Sequence, residues 1–326
     1  MARTFAASSS TTETTCDMVT SRLVVDQLSA EVVGRRREAE LVVAALAADR
    51  HVLLEGPPGT GKSTLLRGVA SAVGLGFEFV EGTAELTPAR LIGHFDPALV
   101  LAEGYSPDIF VDGPLVRALR NGSLLYVEEI NRVPEETLNA LVTVMSEREV
   151  HVPRLGRIEA QEGFRLVAAM NPFDAVGTAR IAGAVYDRVC RVGMGYQSAE
   201  DERSVVKSQH DDVPTRVQSA AVEIVRATRE HPDLRTGSSI RGAIDLCAVA
   251  RELAELRSFS VDDDEVTLDA ALVALSGRVR VREGVSRTSE EIVTDLWRSI
   301  FCRLSDEEPA PSEGKVASPA TTSRAI

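Results

Sequence analysis

At 326 residues the chain has room for one or two domains, and 44% apolar with 26% charged residues is the composition of an ordinary globular protein. The net charge of −13 argues against tight, sequence-independent DNA binding, which depends on lysine and arginine. No apolar run is long enough to span a membrane, and no secretory signal is recognisable. The four cysteines (Cys16, Cys190, Cys247 and Cys302) form no CxxC pair, so we expect free thiols and a cytoplasmic protein.

The first two thirds of the chain alternate between predicted strands and helices. After a Ser/Thr-rich segment over 1–20, predicted to be disordered, apolar residues recur at helical spacing over 35–48. Short apolar runs then predict strands over 51–55, 77–81, 124–129, 165–170 and 189–194. Helices are predicted over 65–73 and 137–147. This alternation indicates an α/β fold, with a parallel sheet covered by helices on both faces.

The pattern becomes almost wholly helical after residue 198. Helices are predicted over 217–230, 240–256, 268–280 and 289–304. We therefore predict an α/β domain over 21–197 and a helical lid domain over 198–304. The last segment, 305–326, is rich in Pro, Ser and Ala without periodicity and is predicted to be a disordered tail.

A complete G-x-x-x-x-G-K-[ST] pattern lies between the first strand and the next helix. It consists of Gly56, Pro57, Pro58, Gly59, Thr60, Gly61, Lys62 and Ser63, and Thr64 follows it. Glycines let such a loop curl so that its N–H groups point at phosphate oxygens, and the helix N-terminus attracts the same anion. Lys62 can reach the β- and γ-phosphates, and the Ser63 hydroxyl can bind Mg²⁺. We predict an ATP site over 56–64 with Mg²⁺ as cofactor.

Two carboxylates, Glu128 and Glu129, end the apolar strand LLYVEE. Carboxylates at this place are costly unless a cation or another partner satisfies them. Because they follow a P-loop, we assign Glu128 to Mg²⁺ and Glu129 to activation of the attacking water. A solvated strand end is the alternative interpretation of the two residues taken alone.

Several segments, in order, resemble the MoxR family of AAA+ ATPases. They are Gly34 ahead of the first helix, GPPGTGKS, VEEINRVPEETLNALVTVMSE, FRLVAAMNP, YDRVCR and TGSSIRGA, and together they cover roughly 33–256. Relatives of that family include the small chelatase ATPase subunit and the activators of carboxylase and nitric oxide reductase. The resemblance implies an AAA+ P-loop domain followed by a smaller all-helical lid.

The resemblance also implies roles around the nucleotide. Val33 and Gly34 would be among the nucleotide-binding residues. Asn171 would be the sensor 1 residue that orients the attacking water, although Asn-Pro is otherwise typical of a turn. Arg241 would be the sensor 2 arginine that contacts the γ-phosphate from the lid, with an ordinary surface arginine as the alternative.

An arginine finger is implied as well. Arg188, in YDRVCR, matches the arginine that such proteins insert into the site of the neighbouring subunit, where it stabilises charge on the γ-phosphate. Arg180 and Arg191 lie close enough in sequence to be alternatives.

The sequence departs from the family at one position. The usual Asp-Glu pair is Glu128-Glu129 here, so a longer side chain stands where Mg²⁺ is normally held through water. Mg²⁺ requires near-octahedral geometry at short distances, so this change could slow hydrolysis or merely shift a bridging water. Because Glu129 is intact, we expect an active ATPase.

Two segments are candidate client-binding surfaces. One is an aromatic insertion over 94–114; the other is a hairpin predicted over 150–160 that carries Arg154 and Arg157. The resemblance places this hairpin at the pore of a ring, whereas the two arginines alone fit a plain surface hairpin equally well.

The resemblance finally implies a homo-oligomeric ring, most often a hexamer. It would remodel or mature a protein client, with metal insertion as one form of maturation, together with a partner carrying a von Willebrand factor A domain. A nucleic-acid partner is not expected. The alternatives are a DNA-remodelling AAA+ motor and a non-hydrolysing ATP-dependent switch or scaffold.

Overall fold

A computed structural model describes residues 22–29, 32–172 and 183–307 of the protein. Arg180, the predicted tail over 1–20 and the part of the second predicted tail over 308–326 lie outside these residues. The chain divides into two compact units, Met1–Val205 and Val206–Ile326. The helix α9, Ala199–Gln209, passes through the boundary between them.

The first unit alternates strands with helices. Its helices are α1 (22–29), α2 (Arg36–Ala47), α3 (Lys62–Ala72), α4 (Pro88–Ile92), α5 (Pro97–Glu103), α6 (Pro114–Asn121), α7 (Glu135–Glu147) and α8 (Gly183–Tyr186). Its strands are β1 (His51–Glu55), β2 (Phe77–Glu81), β3 (Gly93–Phe95), β4 (Phe110–Asp112), β5 (Leu124–Glu128), β6 (Glu149–Val152), β7 (Gly156–Glu159), β8 (Arg165–Met170) and β9 (Val189–Gly193). Short 3-10 helices cover Pro107–Ile109 and Ile130–Arg132.

Five parallel strands form the central sheet in the order β2-β5-β8-β1-β9. These are the five strands that the apolar runs predict, and the α/β P-loop fold class is confirmed. The central strands are buried along most of their length because helices cover both faces of the sheet. Their carboxyl ends meet at one edge, which positions every loop that follows a strand.

Alternate residues of each strand face opposite sides, so the sheet builds two apolar cores. On one side Leu54 and Tyr126 pack with α1, α2 and α3. On the other side Leu53 and Val127 pack with α6 and α7. Complete burial of one such leucine stabilises the fold by about 2 kcal/mol.

Two antiparallel pairs extend from this frame. One is β3 with β4, inside the aromatic insertion; the other is β6 with β7, the hairpin that the sequence predicts. The turn of this hairpin has positive φ at Arg154 and Gly156. The Arg154 guanidinium lies 3.8 Å from the centre of the Tyr105 ring, so the two insertions touch.

The second unit is mostly helical. It contains α10 (Thr215–Glu230), β10 (Leu234–Thr236), α11 (Ile240–Arg257), α12 (Asp264–Leu275), β11 (Arg280–Val281) and α13 (Ser289–Glu307). The predicted helix over 268–280 is shifted, because α12 begins after the N-cap Asp263, whose carboxylate accepts the N–H of Glu265 at 2.9 Å. The last helix runs past the predicted end at 304. Within the described ranges no helix is long and apolar enough to cross a membrane.

Candidate nucleotide and magnesium site

The P-loop connects the carboxyl end of β1 to the first turn of α3. Gly59 and Gly61 have φ of 72° and 83°, a conformation that residues with a side chain rarely adopt. The Lys62 ammonium folds back and donates to the carbonyl oxygens of Gly56 at 2.9 Å and Pro57 at 2.8 Å. The positive charge of Lys62 therefore lies within the loop at a helix N-terminus, where backbone N–H groups attract phosphate.

Three of the predicted site segments reach the same edge of the sheet. The Gly56 N–H donates to the carbonyl oxygen of Met170 at 3.2 Å, so Asn171, the next residue, lies beside the P-loop. Glu128 ends the neighbouring strand β5, whose Val127 pairs with Ala168 of β8. The carboxyl edge of a parallel sheet is the usual place for a ligand in folds of this class.

Ser63 and Glu128, the predicted metal ligands, are in direct contact. The Ser63 hydroxyl donates to Oε1 of Glu128 at 2.7 Å, and its oxygen lies 3.1 Å from the Tyr126 hydroxyl. Mg²⁺ prefers oxygen ligands, and proteins often supply only one or two of them beside substrate phosphates. The described residues hold no group of three or more His, Cys, Asp or Glu that could bind a metal on their own. The oxygen pair thus fits a magnesium ion that is held jointly with a nucleotide.

Glu129 follows in a left-handed backbone conformation, with φ 52° and ψ 44°. Its carboxylate forms an ion pair with Arg132 at 2.8 Å. Gly82, which follows β2, donates its N–H to the carbonyl oxygen of Glu128 at 2.7 Å. A Cβ on Gly82 would lie only 2.4 Å from the carbonyl oxygen of Glu129, so this close approach requires glycine. The sequence analysis did not identify Gly82 or Arg132 as site residues. For Gly82, the available signal was a glycine directly after a predicted strand.

Tyr126 is a second residue that sequence reasoning missed. Its side chain is fully buried and packs against the rings of Phe77 and Phe79, at centroid distances of 5.8 and 5.7 Å. Burial, reinforced by the nearby Glu128 carboxylate, raises the pKa of the Tyr126 hydroxyl well above its ordinary value. The hydroxyl is therefore a neutral donor across the physiological pH range. A polar group in an apolar strand two residues before Glu128 was its only signal.

Arg188 lies at the opposite end of the sheet. It precedes Val189, which pairs with His51, the first residue of β1. A five-residue strand is about 13 Å long, so the length of β1 separates Arg188 from the P-loop of its own chain. Its guanidinium donates to the Ser146 hydroxyl at 2.5 Å and to the Ala184 carbonyl at 2.9 Å.

A surface cavity at this end of the sheet contains Arg188 and two further cations. Arg50 and Arg148 line it together with Arg188, opposite the carboxylates of Asp49 and Asp187. Three positive groups against two negative ones leave the cavity with an excess of positive charge, which suits an anion.

The two alternatives to Arg188 differ in what the structure says of them. Arg191 forms an ion pair with Glu55 at the end of β1, a closer pair than that of Arg188 with Asp187, which lie 3.9 Å apart. Arg180 lies outside the described residues.

Val33 and Gly34 are tied to the segment that follows β9. The Val33 carbonyl accepts the side-chain amide of Gln197 at 2.5 Å, and Gly34, with φ +66°, packs against the side chain of Asp201. The buried Arg35 donates to the Gly195 carbonyl at 2.8 Å. These contacts hold the N-terminus of α2 against the start of α9 within the first unit.

Arg241 belongs to the second unit. It lies in the first turn of α11, after the N-cap Ser239, and its side chain is exposed. The sensor 2 role of Arg241 stays a prediction.

Comparison with known proteins identifies the family. A family model described as "AAA domain (dynein-related subfamily)" matches residues 51–189. The protein YeaC of Bacillus subtilis (strain 168), itself described as uncharacterized, is 30% identical over 270 residues, which cover 74% of this chain and 81% of that protein. The chain belongs to the AAA domain family. This AAA domain implies nucleotide binding and, in general, ATPase activity.

Further relatives agree with the AAA domain. A protein of Staphylococcus aureus (strain USA300) is 31% identical over 211 residues, covering 61% of this chain and 77% of that protein. Among solved structures, a variant of Thermotoga maritima RuvB matches with a TM-score of 0.51 and 18% identity, over 74% of this chain and 70% of the RuvB chain. At this identity the likeness shows the AAA fold alone.

The matched AAA domain contains most of the predicted site. The P-loop, Glu128, Glu129, Asn171 and Arg188 all lie within residues 51–189. Val33, Gly34 and Arg241 lie outside the matched segment, so their roles rest on the MoxR resemblance.

Proposed function

We propose that this AAA domain protein is a MoxR-like ATPase that binds ATP with Mg²⁺ and hydrolyses it where two copies of the chain meet. One observation carries the proposal. The P-loop serine, Ser63, contacts Glu128 at 2.7 Å, and Glu129 follows directly at the same edge of the sheet. A metal ligand from the P-loop, a second from the end of strand β5 and an adjacent carboxylate base are the groups that ATP hydrolysis requires.

Each residue of the site has a distinct proposed role. The P-loop N–H groups and Lys62 would hold the phosphates, and Ser63 and Glu128 would hold Mg²⁺. When bound, Mg²⁺ neutralises charge on the phosphate oxygens. Glu129 would accept a proton from the attacking water, which Asn171 would help to orient.

The position of Arg188 supports a site completed by a second copy. Because the length of β1 separates it from the P-loop of its own chain, its guanidinium would not serve that site. On the surface of the molecule it can instead meet the γ-phosphate bound by a neighbour, in a heterologous contact that repeats into a ring. The MoxR resemblance suggests a hexamer, with Arg241 as an additional γ-phosphate contact from the helical unit.

The client side of the proposal rests on the resemblance. We propose chaperone-like remodelling or maturation of a protein client, such as metal insertion, in the cytoplasm and with a von Willebrand factor A partner. A DNA-remodelling motor has no support beyond the shared fold of RuvB, and the net charge of −13 opposes it. The contact of Glu128 with Ser63 supports an active enzyme over a non-hydrolysing scaffold, because the longer side chain still reaches the metal-binding serine.

The test is steady-state ATP hydrolysis with Mg²⁺, with oligomer size recorded in parallel. Glu129→Gln should bind ATP normally and turn over at least a hundredfold more slowly, since the loss of a general base costs about 10²–10⁴ in rate. Arg188→Ala should also bind ATP and lose turnover, whereas the matched variant Arg191→Ala should retain it. If the wild type binds ATP but does not hydrolyse it, the proposed ATPase activity is wrong and the non-hydrolysing scaffold is favoured. Stimulation by DNA in place of a protein client would favour the motor.

A further inference from the structure

The Ser63 hydroxyl has its hydrogen-bonding capacity divided among three directions. A serine hydroxyl carries one proton and two lone pairs. The proton points to Oε1 of Glu128, 2.7 Å away, because a carboxylate only accepts. The Glu128 carboxylate also accepts from the Tyr126 hydroxyl, which in its 3.1 Å contact with Ser63 can then only be the donor. This contact occupies one lone pair of Ser63 and leaves one for a metal ion.

Tyr126 is held rigidly while it makes this contact. Its ring is fully buried and packs against Phe77 and Phe79 of the neighbouring strand. The Arg67 guanidinium covers both of those rings, at 5.3 and 5.5 Å from their centres. Because α3 carries both Ser63 and Arg67, the helix contacts Tyr126 of β5 and the two phenylalanines of β2 at the same time. These contacts restrict the rotation of the Tyr126 hydroxyl away from Ser63.

We propose that Tyr126 is a positioning residue of the magnesium site. Its hydroxyl orients the Ser63 hydroxyl so that the proton faces Glu128 and the free lone pair is available to Mg²⁺ bound with ATP. This inference rests on the proposed function. It also accounts for the longer carboxylate at position 128, since Glu128 reaches Ser63 directly and needs a serine whose proton is already aimed at it.

A purely structural role is the competing explanation of the same contact. A buried tyrosine needs a partner for its hydroxyl, and Ser63 could serve only that need. The two explanations differ in what the loss of the hydroxyl changes. An orienting role affects Mg²⁺-dependent nucleotide binding, whereas a packing role affects stability and all nucleotide binding alike.

The experiment compares wild type with Tyr126→Phe, which keeps the ring and removes only the hydroxyl. The dissociation constant of a fluorescent ATP analogue is measured with MgCl₂ and with EDTA, and the ratio of the two values reports the coupling between Mg²⁺ and nucleotide. We expect Tyr126→Phe to reduce this ratio about fivefold, the effect of one lost hydrogen bond, while the affinity in EDTA changes less than twofold. Tyr105→Phe, which removes a hydroxyl from an exposed tyrosine of the first unit, should leave the ratio unchanged.

A second pair of variants makes the test specific to Ser63. Ser63→Ala should abolish most of the coupling, and adding Tyr126→Phe to it should have no further effect, because the tyrosine acts through the serine. An unchanged ratio in Tyr126→Phe would overturn the inference, as would an equal loss of affinity with and without Mg²⁺. Failure of the proposed function looks different, since the wild type itself would then show no effect of Mg²⁺ on nucleotide binding.

Discussion

Gly82 supports the turn that carries Glu129, and an added methyl group there should disable catalysis. In Gly82→Ala the new Cβ would lie 2.4 Å from the Glu129 carbonyl oxygen and 2.8 Å from that of Glu128. Ordinary van der Waals contact begins at 3.4 Å, so these atoms must separate by about 1 Å. Both are backbone atoms at the end of a buried strand, and no flexible side chain can absorb the shift.

The size of the effect follows from this displacement. Overpacking of a well-packed site costs about 1–3 kcal/mol in the free energy of unfolding. For a unit of this size, that cost lowers Tm by roughly 2–12 °C. A catalytic group misplaced by about 1 Å can lose on the order of a hundredfold in kcat. Because the P-loop is not part of the clash, the affinity for ATP measured in EDTA, without the contribution of Mg²⁺ and Glu128, should change less than about threefold.

The assay pairs thermal unfolding and ATP turnover of Gly82→Ala with a matched control. Gly277→Ala is suitable because a Cβ at Gly277 would meet no heavy atom within 4 Å. The control should keep the Tm and kcat of the wild type. Wild-type kcat in Gly82→Ala would refute the reasoning, because it would mean that the turn at Glu129 tolerates the displacement or does not carry the catalytic base.

Two further predictions concern His51 and Glu128. Burial, with Arg148 and Arg50 adding positive charge, lowers the pKa of His51 to about 4, and the Leu166 N–H donates to its Nδ1 at 2.9 Å. Between pH 6.5 and 4 the unfolded chain therefore binds a proton that the folded chain does not. The free energy of unfolding should decrease as the pH is lowered, by about 2 kcal/mol from pH 7.5 to pH 5. In His51→Gln, the free energy of unfolding from denaturant titrations should lack this part of the pH dependence. The same pH dependence as in the wild type would show that His51 is not its source. Glu128→Asp, which restores the usual family residue, should have an ATP turnover within about fivefold of the wild type, because a bridging water can replace the methylene. If the wild type is inactive and Glu128→Asp hydrolyses ATP, the non-hydrolysing scaffold alternative is favoured.

The parts of the fold that follow from local pattern were predictable. The sheet strands are apolar runs bounded by turn residues, as over 51–55 and 165–170, so their existence and type are visible in the sequence. The P-loop was equally visible, because all its chemistry lies in consecutive residues over 56–63. Glu128 and Glu129 were candidates because they end a strand in a chain that also carries a P-loop, and their roles stay predictions.

The rest depends on which strands become neighbours. Gly82 supports Glu129 only because β2 pairs with β5, and spacing along the chain does not show this pairing. Tyr126 reaches Ser63 only because α3 packs on the face of β5 to which that side chain points. The start of α12 was missed for a local reason, since Asp263 is one of three consecutive aspartates and any of them could cap a helix.

The central claim, an ATP site completed by a second copy, is tested most directly by mixing two inactive variants. Arg188→Ala keeps the P-loop and Glu129, while Glu129→Gln keeps the arginine. If the site is shared, a random mixture contains productive pairs at about a quarter of its interfaces, and turnover should return to about a quarter of the wild-type rate. If each chain completes its own site, the mixture stays as inactive as its components, and the shared-site account is wrong.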